Sequence, residues 1–364
     1  MPPYKMLGIQ PVELTGSKAK EGIAVRNINY YARNIELLED FKETLKSESA
    51  NKVISIGFLG DSITEGGVSS NHLVNGYASL IRTVLQSKFG NAGEGFVSAW
   101  RRKNSVPEYA ITRGGQWHSN AWDAAVQIKP GGTATYTFDG DAVDVLFWRG
   151  SATGTFTITV DDGDPVTVQS NQPALMVDQY TVSGLANGEH TVVVTNTDES
   201  RDTFFAGFLI RKGSVGVRIN NYGFWGAKAD RGVNANFRRL YLRNPSDLYV
   251  IAYGANDFAG QEALSVYKSR IKTIVESIRG IGSQALIFAN GLRNLDLTID
   301  QEYYFQTLYE LSDEMQIPLI DANAKWGSFD EAMNKGYFPE GETVHPSDKG
   351  HKDLASVFLT YLLN

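Results

Sequence analysis

The sequence predicts an α/β fold: a parallel sheet with helices on both faces, interrupted by an inserted all-β sandwich. Three observations predict it. Apolar runs such as VISIGF (53–58), DLYVIAY (247–253) and QALIFA (284–289) alternate with segments of helical periodicity. Runs of this length suit strands buried on both faces. Between residues 111 and 214 the texture shifts to Thr, Val, Gly and Asp with period-two alternation. Many short alternating segments separated by turn signals mark an antiparallel sandwich.

Taken in order, residues 1–50 form a lead-in. Ile35, Leu38, Phe41 and Leu45 fall on one stripe and predict a short helix near 33–47. The strand at 53–58 then runs into Leu59-Gly60-Asp61-Ser62. Tyr77, Leu80, Ile81, Val84 and Leu85 recur at helical spacing and predict a helix over 76–89. The β-rich stretch carries TATYTF (133–138), DVLFW (144–148), FTITV (156–160), VTV (166–168), HTVVVT (190–195) and FFAGFLI (204–210). Asp139-Gly140, Asp162-Gly163 and Asn187-Gly188 read as the turns between them. Strands follow at 215–220, 247–253, 284–289 and 317–321. Helices follow at 262–279, 301–315 and 351–363. In the first of these Tyr267, Ile271, Ile274, Val275 and Ile278 face inward. The α/β domain is therefore discontinuous, 51–110 and 215–364, with the sandwich of 111–214 inserted in it.

Composition narrows the function. With 364 residues, 42% hydrophobic and 21% charged, the chain can bury a large core as an ordinary globular protein. It contains no cysteine, which excludes disulfides, thiolate catalysis and cysteine metal sites. The 34 Lys and Arg against 41 Asp and Glu give a net charge of −7, which argues against nucleic acid as a partner. No apolar run approaches the roughly 18 residues of a membrane span, so no membrane partner is expected. The opening MPPYKMLGIQPVELTG lacks the basic and apolar regions of a secretory signal. The expectation is a protein that acts where it is made or leaves by lysis or virion assembly, and is then extracellular or virion-associated. The oligomeric state stays open.

Four short segments carry chemistry. Gly60-Asp61-Ser62 ends a predicted strand, where open parallel sheets bind ligands. A serine there can present its hydroxyl, provided a base lies beside it. Gly254-Ala255-Asn256-Asp257 ends another strand, and an Asn amide there can donate to a developing oxyanion. Asn221-Tyr222-Gly223-Phe224-Trp225-Gly226 is a third corner, where a glycine lets substrate approach a backbone N–H. The fourth is Glu342-Thr343-Val344-His345-Pro346, just before the last helix. A carboxylate three residues before a histidine can reach its far ring nitrogen and stabilise the imidazolium. Each segment alone is an ordinary turn.

Together, in this order, they resemble the SGNH (GDSL-type) serine hydrolase family. Gly60-Asp61-Ser62 matches its first block, Gly226 its glycine block, Gly254-x-Asn256-Asp257 its third and Glu342-x-x-His345 its last. The resemblance covers about 51–110 and 215–364. It implies a flavodoxin-like sheet, an acyl-enzyme mechanism and no cofactor or metal. In that mechanism Ser62 is the nucleophile and His345 the general base. The N–H groups of Ser62 and Gly226 and the Asn256 side chain form the oxyanion hole. One position departs from the pattern: the acid is Glu342 where the family has Asp. Asp348, three residues after His345, is the alternative partner for the imidazole. His72, His118, His190 and His351 show no metal-ligand spacing.

The β-rich stretch resembles the jelly-roll carbohydrate-binding module inserted in some carbohydrate esterases of this family, including polysaccharide deacetylases on bacteriophage tails. GNAGEGFVSAW (90–100) and NNYGFWGA (220–227) resemble the same subgroup. Trp117, Trp122, Trp148 and Trp225 are the candidate sugar-stacking residues; a packed core is the other reading for aromatics on alternating strands. The expected function is removal of acetyl groups from a polysaccharide. A lipase or small-ester hydrolase of the same fold is the alternative. A glycan-binding adhesin on an inactive esterase scaffold is the alternative of another class.

Overall fold

The computed structural model describes residues 31–104, 108–121 and 125–364. Most of the lead-in, and Trp122, lie outside the described residues. Leu38, Phe41 and Leu45 are buried by a one-turn 3₁₀ segment at Ile35–Leu38 and the helix Glu39–Glu48, as their stripe predicts.

The first sheet has six strands, in the order Ala32–Arg33, Leu319–Asp321, Gln284–Ala289, Leu248–Ala252, Val53–Gly60 and Gly216–Asn221. Every neighbouring pair is parallel except the two-residue edge strand Ala32–Arg33. The apolar runs are buried on both faces because helices cover both. On one side Ile54, Ile56, Phe58, Val250 and Phe288 pack against Tyr77, Ile81, Leu354 and Phe358. On the other, Leu59, Tyr249, Ile251 and Ile287 pack against Tyr267, Ile271, Ile274, Tyr304 and Leu308. Alternate residues of one strand thus serve opposite cores, as the pleat requires. The strand Gln284–Ala289 and the helices Tyr77–Phe89, Leu264–Arg279 and Gln301–Met315 agree with the sequence to within two residues. The closing helix starts earlier than its apolar pattern, at Asp348, because the Ser347 side chain caps the Gly350 N–H.

The second sheet is antiparallel and has nine strands. Its path runs Trp117–Ala121, Ala125–Ile128, Thr203–Arg211, Thr133–Arg149, Met176–Asn196, Phe156–Val160 and Val166–Val168. Thr112–Gly114 joins Thr133–Arg149. Gly95–Ser98, which precedes the stretch marked by composition, joins Thr203–Arg211.

Two expected turns are not turns. Thr133–Arg149 is one strand of 17 residues running straight through Asp139-Gly140. A side chain at Gly140 would strike the Arg211 carbonyl, 2.5 Å from its Cβ position. That glycine therefore serves close backbone approach within a sheet. Asp139 is held by Lys212 Nζ at 2.6 Å. Met176–Asn196 likewise continues through Asn187-Gly188, with an irregularity between Ser183 and Gly188. Across this region the inward face of Thr133–Arg149 changes parity. Ala134, Tyr136 and Phe138 share a core with Val143, Val145 and Phe147.

The opposite parity decides how the sheets meet. Leu146, Trp148, Phe204, Ala206 and Leu209 belong to the same apolar cluster as Tyr222, Phe237, Tyr241 and Tyr249 of the α/β part. The antiparallel sheet has one core of its own and shares a second. Trp148 lies in the shared core with 0% exposure. The expectation that it stacks on a sugar is corrected: its even-numbered face of the strand backs onto the α/β layer.

Candidate active site

Three adjacent strand ends and one loop build the site. The strand Val53–Gly60 is where the chain order reverses, with Gly216–Asn221 on one side and Leu248–Ala252 on the other. Open parallel sheets place ligands beyond the carboxyl end of such a point. The three predicted corners follow these three strands.

At the central corner, Asp61 caps the short helix Ser62–Glu65 by accepting the Ile63 N–H at 2.9 Å. Ser62 is the first helical residue and is 4% exposed. The second corner is clamped onto this turn. Asn221 Nδ2 donates to the Thr64 carbonyl at 2.8 Å, and the Phe224 N–H donates to the Gly60 carbonyl at 3.1 Å. The chain then passes through Gly226 with φ of 75°, a left-handed conformation that favours glycine. The third corner is tied to the second: both Asp257 oxygens accept the Ala229 N–H at 3.1 Å. Asn256 Nδ2 donates to the Ala227 carbonyl at 3.0 Å, while its Oδ1 accepts from Arg293 Nη1 at 3.1 Å. An amide has two hydrogens, so Asn256 keeps a second donor beyond the one given to Ala227.

The loop before the last helix brings the base. Ser62 Oγ lies 2.9 Å from His345 Nε2, across 283 residues of sequence. On the far side of the ring Glu342 Oε2 is 3.2 Å from Nδ1. This fixes the tautomer: Nδ1–H donates to Glu342, and Nε2 accepts the Ser62 proton. Asp348, the alternative acid, is engaged elsewhere, accepting the Ser70 N–H at 2.8 Å and the Ser70 hydroxyl at 2.6 Å.

Burial lowers the His345 pKa below its usual value, against the opposing pull of Glu342; Arg293 and Arg102 lower it further. The ring is therefore neutral and ready to accept a proton near neutral pH. Burial pushes Asp61 up to about 7 and Asp257 up to about 6, while backbone N–H groups hold both back.

Trp225 is a candidate for sugar stacking by its sequence, but its packing on the base has no sequence signal of its own, and neither do the roles of Gly67, His351 and Glu65. Trp225 stacks on His345 with ring centroids 4.6 Å apart and planes at 29°. A side chain at Gly67 would come within 3.0 Å of His345 Cδ2 and 3.1 Å of Trp225 Cζ3. The Gly66-Gly67 doublet was the one hint of this close packing. His351 Nε2–H donates to the Gly67 carbonyl at 3.0 Å, and its Nδ1 accepts the Tyr77 N–H at 3.3 Å. Glu65 is buried and accepts the Arg102 N–H at 2.8 Å. Trp225 also borders a cleft of about 350 Å³ with Gly226, Lys228 and Arg231. The Trp117 indole donates to the Gly114 carbonyl and packs beside Arg113. Among the described residues no cluster of three His, Asp or Glu side chains could hold a metal.

Comparison with known proteins fits this geometry. Residues 182–352 match the GDSL-like lipase/acylhydrolase family, and residues 114–216 match the carbohydrate esterase 2 N-terminal family. The chain carries a GDSL-like acylhydrolase domain. Its activity class is hydrolysis of carboxylic esters. The acylhydrolase match contains Gly226, Asn256, Glu342 and His345 but not Ser62, which only the fold brings to them. The esterase 2 match is internal here, since the strand Val53–Gly60 and helix Tyr77–Phe89 precede it. Among solved structures, a peptidoglycan O-acetylesterase aligns with a TM-score of 0.65 at 18% identity, over 92% of this chain and 96% of its own. That likeness shows the fold. A family two carbohydrate esterase from Clostridium thermocellum, solved with cellohexaose, aligns at 13% identity over 69% of this chain and 97% of its own, with a TM-score of 0.31. A two-domain esterase active on acetylated mannans aligns at 12% identity over 89% and 53%, with a TM-score of 0.42. No curated protein matches the chain by sequence. No described helix is long and apolar enough to cross a membrane.

Proposed function

We propose that the acylhydrolase removes acetyl groups from a polysaccharide, with Ser62 as nucleophile, His345 as general base and Glu342 as the group that orients the imidazole. The 2.9 Å contact between Ser62 Oγ and His345 Nε2 carries this reading. Ser62 attacks the acetyl carbonyl as His345 takes its proton. The oxyanion is held by the N–H groups of Ser62 and Gly226 and by Asn256 Nδ2. The tetrahedral intermediate then collapses, breaking the bond from the acetyl carbon to the sugar oxygen, and His345 protonates that oxygen so that the sugar leaves as its hydroxyl. Water, activated by the same ring, releases acetate from the acyl-enzyme. The supports for a glycan substrate are the esterase 2 match over 114–216 and the acetylesterase fold. On this reading residues 111–214 form an inserted jelly-roll unit that flanks the site, and Trp225 contacts the substrate. The test is acetate release from acetylated polysaccharides, set against 4-nitrophenyl acetate and 4-nitrophenyl octanoate. Preference for the octanoate with no acetate released from any glycan would make the enzyme a lipase-type hydrolase instead. Glycan binding without hydrolysis of any of these esters would make it an adhesin.

A further inference from the structure

The arginines around the site are engaged, with one exception. Arg101 donates to the His72 carbonyl, Arg113 to the Ala99 carbonyl, and Arg293 to Asn256 and to the Ala255 carbonyl. The Arg102 guanidinium lies 4.2 Å from the Trp225 ring centroid and makes no hydrogen bond or ion pair among the described residues. Its main chain is fixed nonetheless. The Arg102 N–H is bound by Glu65, and Arg102 bridges to Tyr109 across a short antiparallel pair. The corner that carries Trp225 is held on the same turn: Asn221 Nδ2 donates to the Thr64 carbonyl and the Phe224 N–H to the Gly60 carbonyl. The Ser62 turn therefore positions both partners of the stack, Arg102 through the Glu65 carboxylate and Trp225 through the clamped corner. Trp225 in turn packs on His345. A half-buried guanidinium resting on an indole keeps its edge N–H groups available, and that fork matches a carboxylate.

We propose that Arg102, stacked on Trp225, is an anion subsite that binds a carboxylate carried by the substrate beside the scissile acetate. The inference rests on the reading of Ser62 and His345 as the hydrolytic pair, and it narrows the substrate to acidic acetylated glycans. The acids near this stack are already committed. Glu342 is bound to His345, and Glu65 lies buried against the Arg102 backbone amide. Glu65 attracts the Arg102 charge, but the guanidinium N–H groups have no acceptor among the described residues, so an incoming carboxylate meets free donors.

The experiment compares two pairs of esters that differ in charge. Phenyl acetate and 4-acetoxybenzoate form the first pair; O-acetylated mannan and O-acetylated polygalacturonate form the second. Each is assayed with the wild type, Arg102→Gln and Arg102→Lys. The charged-to-neutral ratio of kcat/KM is expected to fall about tenfold in Arg102→Gln, the scale of one charge-assisted hydrogen bond, with the change carried by KM. Arg102→Lys should recover part of the ratio. Salt at about 1 M should bring the wild-type ratio down to that of Arg102→Gln. A ratio that is the same in wild type and Arg102→Gln overturns the subsite. The aryl esters report on Arg102 even if neither polymer is cleaved. Hydrolysis of phenyl acetate that survives in Ser62→Ala would instead overturn the hydrolytic reading itself, so the two failures are distinguishable.

Discussion

The two sheets use their strands differently. In the parallel sheet the strand interiors are mostly apolar, and the nucleophile and oxyanion groups sit two to five residues beyond the carboxyl ends, with the base brought by the loop before the last helix. Gly60 leads to Ser62, Asn221 to Gly226 and Ala252 to Asn256. In the antiparallel sheet the long strands carry aromatic residues along their length, and these fill two cores. The difference shows where substitutions act. A change at a parallel strand end should alter rate without altering stability. A change inside an antiparallel strand should do the reverse.

The largest expected effect comes from the first kind. Ser62→Ala should lower kcat on 4-nitrophenyl acetate by about 10³-fold or more. Its unfolding midpoint should stay at the wild-type value, because the hydroxyl contributes attack and little packing. A clean preparation that keeps over about a tenth of the activity breaks the assignment.

Asn256→Ala comes next, with a loss of about 10²–10³ in kcat and little change in KM, since the amide meets charge that develops only in the transition state. A raised KM with unchanged kcat would make Asn256 a ground-state contact. Trp148→Ala is the mirror test on the antiparallel side. It should cost about 3–5 kcal/mol in urea unfolding, the scale for emptying a large buried aromatic site. Activity per folded molecule should hold. A rate loss without a stability loss would return Trp148 to the substrate site.

Glu342→Gln should show the smallest effect of the four, about ten- to a hundredfold in kcat, because this carboxylate is partly exposed and its contact with the ring is long. The pH profile gives the sign. His345 acts as a base when neutral, and its lowered pKa places the acid limb of kcat/KM below the ordinary 6.5. Glu342 pulls that pKa upward, so removing it should move the acid limb to still lower pH. A limb that moves upward would mean that Glu342 does not face the imidazole in solution. A silent Glu342→Gln with a crippled Asp348→Asn would reassign the acid.

Some of this was legible in the chain as written. The strand Gln284–Ala289, the helix Gln301–Met315 and the four corners could be read directly, because hydrophobic period and turn residues are local properties. A strand end in a parallel sheet is also locally recognisable, so Ser62, Asn256 and Gly226 could be placed on corners before any contact was known. Tertiary structure alone decided which groups meet. The choice of Glu342 over Asp348 turned on Ser70, whose N–H and hydroxyl claim Asp348. Asp139-Gly140 has the composition of a turn, but the approach of the Arg211 carbonyl makes it strand interior. Trp148 has the composition of a binding residue, but strand parity and the packing of one sheet on the other put it in a core. The Arg102–Trp225–His345 stack joins residues far apart in sequence, and Arg102 is anchored in it by a glutamate whose role no spacing encodes. Period and turn chemistry are set within a few residues, whereas partner choice is set by whichever groups the folded chain leaves within about 3 Å of each other.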